Sequence, residues 1–478
     1  MRKYREAALD VEKFLGFLRK GFRPFILILA LIFFLYVITQ PIPQGLTREG
    51  QISLGIFGVC ILLWVTHALP LMITSLLAVV LFPLTGVLSS KISYSLFGNQ
   101  AIFFILGAFI LSSAIMRSGL STRLALLALR SFGKSPRKFL LGLLIFSAFL
   151  SFWMSEHAVA AMLFPIVFEV TDALRLNPRS SRYGKSLFLG MTWGCIIGGV
   201  TTFLGGARAP LALGILQQTT GQSISFIQWT LATLPTVLLT LGLVYLLIIK
   251  IFPSEITDIH QALTVLKRKQ LRMGHMSRRE KVLGILMIAT IFCWIFYGEQ
   301  WGLANIAIMA VVIAFVLRLM EWKEVEEDVN WGIFLMYGGA ICLGFAMDLT
   351  GAAGWLAQRS LGYFIHSPWG LVLAISFISL FLTEAISNTA VVALMMPLAL
   401  GFANNLELNP QVITLALTIP SGLAFQLPMG TPATAIAFSS GFIRLRDTFT
   451  VGLILKIFAW AFLVCSIWFY WPLLGFKI

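Results

Sequence analysis

One motif occurs twice in this chain at a fixed distance, and any fold must give both copies equivalent surroundings. The first copy reads FLSFWMSEHAVAAMLFPI, from Phe149 to Ile166, and the second reads FLTEAISNTAVVALMMPL, from Phe381 to Leu398. A shift of roughly 232 residues puts Ser155 on Ser387, Ala158 on Ala390 and Pro165 on Pro397. The same shift carries Gly107 onto Gly339, Gly119 onto Gly351 and Asn177-Pro178 onto Asn409-Pro410. One register held without a gap over about 70 residues implies an internal duplication. In a membrane chain, duplicated halves are the arrangement of many transporters, whose sites lie between the repeats near mid-membrane.

Composition places the chain in the membrane. It is 58% hydrophobic and only 12% charged, with a mean hydropathy of +0.90; a soluble domain carries about a quarter charged residues. Apolar runs long enough to cross about 30 Å of hydrocarbon recur from Pro24 to Leu474. They are continuous rather than alternating, which excludes a transmembrane β-barrel. The expected fold class is an all-α polytopic membrane protein of about 11 transmembrane helices plus two re-entrant hairpins. Its site on a cell is the plasma (inner) membrane.

The formal charge of +15 does not point to nucleic acid, because the basic residues are grouped. They gather in the first 24 residues and at 117–138, 175–185 and 250–281, as loops on the cytoplasmic side would. Only Arg48, Lys91, Arg359 and Lys477 fall on the outer side of the resulting topology. That topology puts the N-terminus inside and the C-terminus outside. Residues 1–24 carry acids and lack a small-residue cleavage site, so they read as a cytoplasmic amphipathic segment rather than a signal peptide. Cys60, Cys195, Cys293, Cys342 and Cys465 lie scattered in apolar segments without metal spacing and read as packing residues.

Within this frame, residues 25–250 form the first repeat, 251–281 a cytoplasmic linker and 282–478 the second repeat. The segment at about 139–174 has basic flanks at both ends, so it must enter and leave on one side. Each arm is about 24 Å of helix, too short to span. A re-entrant hairpin with its tip near Ser155-Glu156-His157 satisfies both demands. The second copy, about 368–404, lies between flanks nearly free of Lys and Arg and should enter from outside. The halves then sit in inverted topology. After each hairpin comes a Gly/Pro-rich span, at about 186–217 and 412–440. These are expected to be broken helices, the first unwound near Gly205–Pro210.

Unwound backbone is tolerated in lipid only where protein buries it or a watery cavity meets it. Hairpin tips and helix breaks expose helix N-termini, which suit anions, and free carbonyls, which suit a small cation. At the second tip, Ser387-Asn388-Thr389 supplies neutral donors and acceptors, matched by Thr431-Pro432-Ala433-Thr434 in the following break. The plainer role for such residues is to cap the two helix starts.

These residues resemble a family. Paired Ser-Asn-Thr tips, each matched with a Thr-Pro-Pro-Asn-like break, mark the divalent-anion/sodium symporter family of dicarboxylate and sulfate transporters. WVTHALPLMITSLLAVVLFPLTGVL and SNTAVVALMMPL match it as well. The resemblance covers nearly all of the chain beyond the N-terminal tail. It implies a homodimer, an elevator-type movement of a transport domain against a scaffold, and substrate carboxylates held by the tips with sodium beside each. On that basis Ser155, Glu156, His157, Arg208, Ser387, Asn388, Thr389, Thr431, Pro432 and Thr434 are the expected substrate residues. Ser387, Asn388, Gly430 and Thr431 are the expected sodium-like site of the second half. No cofactor is expected beyond sodium, and no partner beyond the anion, the bilayer and a second copy.

The chain departs from the pattern in its first half. There the tip is Ser155-Glu156-His157 rather than Ser-Asn-Thr, and the break reads Gly206-Ala207-Arg208-Ala209-Pro210. The second break has Ala433-Thr434 for Pro-Asn, and THALP places His67 where the family has Glu. Charges at mid-membrane are costly and imply function or tight pairing. Arg208 could form a fixed pair with Glu156 that locks hairpin to break. It could instead supply the charge a sodium ion brings elsewhere, gripping a carboxylate bidentately, with Glu156 or His157 titrating. The first reading of function is therefore secondary transport of a small divalent anion, most readily a dicarboxylate, by exchange or proton coupling. A conventional sodium symporter and a passive channel or uniporter on the same scaffold are the alternatives. An intramembrane enzyme is disfavoured, since adjacent residues on a helix diverge by about 100° and no HExxH or GxSxG motif accompanies Glu156-His157. Glu384, three residues before the second tip, is expected to steady the tip or a cation, and His67 to sit at an interface or in packing.

Overall fold

The computed structural model describes residues 23–133, 135–178, 180–360 and 367–478, which are helical with no strand among them. Residues 1–22 of the expected N-terminal segment lie outside the described residues, as do Lys134 and Arg179 of the basic loops. The first half contains α1 (Arg23–Thr39), α2 (Arg48–Thr66), α3 (Leu71–Leu84), α4 (Ser90–Ser95), α5 (Gln100–Ser118) and α6 (Leu120–Ser131). Then follow α7 (Pro136–Ser151), α8 (Glu156–Ala173), α9 (Arg182–Gly198), α10 (Arg208–Thr220) and α11 (Phe226–Ile251). The linker carries α12 (His260–Arg272). The second half contains α13 (Arg278–Trp301), α14 (Leu303–Val316), α15 (Trp322–Asp328), α16 (Trp331–Leu349) and α17 (Ala352–Ser360). It ends with α18 (Pro368–Ala385), α19 (Asn388–Asn405), α20 (Pro410–Ser421), α21 (Pro432–Ser439) and α22 (Leu445–Cys465). Among the described residues, 7 helices are long and apolar enough to cross a membrane, and α1, α3 and α14 are apolar but shorter.

The duplication is visible in the helix starts. Residues 71 and 303, 90 and 322, 120 and 352, 136 and 368, and 156 and 388 each begin a helix, and each pair is 232 apart. Both hairpins are helix–turn–helix units. Ser155 caps α8 by accepting from Ala158 N at 3.3 Å, and Ser387 caps α19 by accepting from Ala390 N at 3.3 Å. Gly119 ends α5 at φ 84°, and its mate Gly351 follows α16 at φ 68°, the left-handed conformation glycine adopts without steric penalty.

The halves interlock by exchange. Helix α3 of the first half packs on α16 of the second, and α14 of the second packs on α5 of the first. Small residues make these approaches close. A Cβ on Gly107 would lie 2.7 Å from Ala307 Cβ, and one on Gly339 would lie 2.4 Å from the Ser75 carbonyl. Residues 75 and 307 are themselves repeat mates, so the contacts are one contact made twice, the signature of a two-fold pseudo-symmetric interface. Trp193 Nε1 donates to the carbonyl of Phe425, its own mate 232 residues away, at 3.2 Å.

The first break differs from expectation in its position. Helix α9 ends at Gly198, residues 199–207 are unwound, and Arg208 already opens α10. Pro210 is compatible with helix there because first-turn N–H groups have no intrahelical acceptor. In the second half the unwound stretch is 422–431, and Pro432 opens α21 at the first helical position.

Candidate substrate and ion site

The broken helices cross over: α10 packs against α19 of the second hairpin, and α21 packs against α8 of the first. The exchange brings four helix starts to one place. A cavity of about 200 Å³ is lined by Glu156 and His157 of α8, Arg208 of α10, Asn388 and Thr389 of α19 and Pro432 of α21. Leu71 and Met72 at the start of α3 and Asn330 and Met336 near α16 close its sides. The starts of these helices carry partial positive charge, so the electrostatics of the cavity favour an anion. Its volume is below the roughly 300–1,000 Å³ of drug-sized sites, so it suits a ligand of few heavy atoms.

At the first tip, Glu156 is fully buried and Arg208 is 3% exposed. Arg208 Nη1 lies 3.4 Å from Glu156 Oε2, and Nη2 donates to Gly199 O at 2.8 Å. The guanidinium fits because glycines surround it. A Cβ would stand 2.4 Å from Nη1 at Gly206 and 2.3 Å from Nε at Gly422. Gly422 belongs to the second break, so Arg208 bridges the two halves. Glu156 N donates to Gly205 O at 3.0 Å, fastening the tip to its break. The other carboxylate oxygen, Glu156 Oε1, is buried and has no hydrogen-bond partner among the described residues, and neither has His157 Nδ1, 3.8 Å away.

The second tip has different chemistry. The Asn388 carboxamide nitrogen faces Thr383 Oγ1 at 2.7 Å and the carbonyls of Gly430 and Ser421 at 3.2 Å each. The carboxamide thus fills the point on which three uncharged oxygens converge, and it ties the tip to the second break. At the first tip the buried charges are instead the Glu156 carboxylate and the Arg208 guanidinium. Behind the second tip, Glu384 accepts from Gln426 N at 2.9 Å and Leu427 N at 2.8 Å. Lys456 of α22, wholly buried, reaches Glu384 Oε1 at 2.9 Å and donates to Leu380 O at 2.7 Å.

Of the residues expected at the site, Glu156, His157, Arg208, Ser387, Asn388, Thr389, Gly430 and Pro432 line the cavity. Ser155, Thr431 and Thr434 do not. Ser155 caps its helix, as does Ser387. Thr431 caps α21 by accepting from Thr434 N at 3.2 Å, and the two hydroxyls pair at 3.0 Å. The capping role therefore holds for these hydroxyls. His67 caps α2 in the left-handed conformation, its Nδ1 3.3 Å from Val65 O and away from the cavity. Sequence reasoning passed over Lys456, Thr383 and the glycines around Arg208. The first had a legible signal, a single lysine in the apolar run of α22.

Residues 23–477 match the model of the sodium:sulfate symporter transmembrane region. A sodium-dependent dicarboxylate transporter, SdcS, of Staphylococcus aureus is 30% identical over 482 residues, covering 95% of this chain and 91% of the relative. Its namesake in Staphylococcus saprophyticus is 29% identical over 472 residues, covering 93% of this chain and 91% of the relative. Among solved structures, MtrF of Neisseria gonorrhoeae, from a class of antimetabolite efflux pumps, superposes with a TM-score of 0.56 at 14% identity, covering 94% of each chain. The YdaH transporter of Alcanivorax borkumensis gives 0.53 at 13% identity, covering 79% of this chain and 88% of that one. These two share the fold.

Proposed function

The chain belongs to the sodium:sulfate symporter family of membrane transporters, and on that premise we propose that it carries a small dicarboxylate by alternating access. The convergence of four helix starts and Arg208 on one small cavity between the halves supports this reading most directly. A dicarboxylate meets the helix ends and the guanidinium with its two carboxylates, and a bidentate grip by Arg208 adds geometric selectivity. The names of the staphylococcal relatives point to the same substrate class.

The driving ion differs between the halves. At the first tip Arg208 stands in for a cation, so no sodium is bound there. At the second, the uncharged groups of Ser387, Asn388, Gly430 and Thr431 offer one sodium position, and Glu156 or His157 offers a proton. Transport is then coupled to at most one sodium, or runs as exchange or with protons. Residues 25–250 and 282–478 work as inverted repeats in a homodimer, with the hairpins and broken helices moving as an elevator against the remainder.

Proteoliposomes loaded with unlabelled succinate test this. We expect counterflow of labelled succinate, with a sodium dependence of Hill coefficient about 1 or none. Arg208→Met should lower succinate affinity by about tenfold or more. Uptake that collapses without sodium and shows two-sodium cooperativity would exclude the assigned role of Arg208, and uptake without trans-stimulation would make the protein a channel.

A further inference from the structure

A second cavity, of about 690 Å³, lies beside α10 and the starts of α5 and α14. Its wall is the repeat image of one already described. The small cavity is closed on one side by Leu71, Met72, Gly332, Ile333 and Met336. Their mates 232 residues away are Leu303, Ala304, Gln100, Ala101 and Phe104, and all five line the large cavity. The two cavities share no residue, yet matched copies of one surface face them. Helix α10 runs from one to the other. Arg208 at its start lines the small cavity, while Pro210, Leu213 and Gln217 line the large one. The helix packs on α16, which walls the small cavity, and on α5, which walls the large one. Its approach to α5 is through small residues, since a Cβ on Gly214 would lie 2.8 Å from Ala101 Cβ. The sidedness read from the basic loops puts the starts of α3 and α16 inside and those of α5 and α14 outside.

We propose that Gln100 is a substrate contact made only when the site faces outward, against the wall of the large cavity, so that the anion is held more tightly from outside than from inside. This rests on the alternating-access reading above and adds to it which side chains meet the anion on each face. The tips, the helix starts and Arg208 serve both states, because matched walls of two inverted repeats can receive the same site in turn. The walls themselves are chemically unequal. Gly332 on the inner wall has no side chain, whereas its mate Gln100 on the outer wall carries a carboxamide. That carboxamide is exposed and makes no hydrogen bond among the described residues. Its N–H groups are therefore free to donate to a carboxylate, and hydrogen bonds to charged groups are among the stronger ones. The other four positions of both walls are apolar and offer the anion no such bond.

Uptake of labelled succinate by the full chain in right-side-out and inside-out membrane vesicles gives a KM for each face. The wild type should show the lower KM outside, and the reverse order overturns the proposal. Gln100→Ala should raise the outer KM by about threefold to tenfold and leave the inner KM and both maximal rates unchanged. Gln222→Ala, on an outer loop and in neither lining, should change neither KM. A shift of both KM values together in Gln100→Ala, or of neither, overturns the assignment. A cysteine in place of Leu303 tests the outer wall without touching Gln100. A membrane-impermeant maleimide applied to intact cells should label it above the parent chain, and saturating succinate should slow that labelling while chloride does not. Labelling at one rate with and without succinate overturns the proposal even if Gln100→Ala does not fold. If succinate enters through neither face, or enters without trans-stimulation, the alternating-access reading falls, and this inference with it.

Discussion

Arg208 has little room to be anything but an arginine in its present pose. Two glycines wall its guanidinium, and one of them, Gly422, comes from the opposite half. The alternatives left by the sequence, a structural lock or a substrate cation, prove compatible: the same side chain pairs with Glu156 and lines the cavity. Gly422→Ala places a methyl group 2.3 Å from Nε and must displace the guanidinium. Overpacking of this kind costs about 1–3 kcal/mol. We expect lower thermal stability and a larger loss of succinate affinity than Ala substitution causes at Gly242, which has nothing near its missing Cβ. Melting curves and binding isotherms of the two variants check this; equal behaviour would detach Gly422 from the site.

Among the elements, the second hairpin is held from behind as much as from the cavity. Glu384 on α18 gathers two N–H groups of the second break and the ammonium of Lys456 on α22, so one carboxylate ties together arm, break and final helix. Removing one partner of a buried pair leaves an uncompensated charge and costs about 3–5 kcal/mol, whereas removing both is often near neutral. Lys456→Met should therefore destabilise strongly, and Lys456→Met with Glu384→Gln should recover much of that loss. A double-mutant cycle on melting temperature measures the coupling, and additive effects would show that the pair does not fix the tip. The all-helical character was readable from apolar run length. The position of the first break was not, because Pro210 at a helix start looks in sequence like Pro210 in a loop.

At the scale of the molecule, charges assigned to the inner side by sequence meet each other in space. Arg117 of the first half grips Asp328 of the second through Nε and Nη2, both at 2.7 Å, and also reaches Glu327. Arg123 meets Glu280, and Arg279 meets Glu324. The hydrogen bonds from Arg117 hold the Asp328 carboxyl below the usual carboxylate range. Its pairing thus stabilises the fold above the unfolded value of about 3.9 and is lost as pH falls through the lower folded value. Asp328→Asn should melt earlier than wild type at pH 7, with the gap closing below about pH 4; a gap independent of pH would mean the contact is not ionic. The sidedness proposed for the whole chain predicts that a membrane-impermeant thiol reagent applied to intact cells labels a cysteine at Gln222 but not at Asp258. The reverse pattern would invert the topology.

The sequence alone determined that this chain lies in a membrane, that it is built twice, and that the first tip and break depart from their copies. Each of these is a local or periodic property: run length, register, and the identity of a residue at a matched position. Tertiary structure decided what the departures face. Arg208 meets Glu156 across 52 residues and Gly422 across the halves, and Lys456 meets Glu384 across 72. Of these, only the Gly422 contact crosses between the halves, where each broken helix leans on the hairpin of the other. No spacing in the chain encodes that crossing; it follows from how two self-similar halves can bury their small residues against one another.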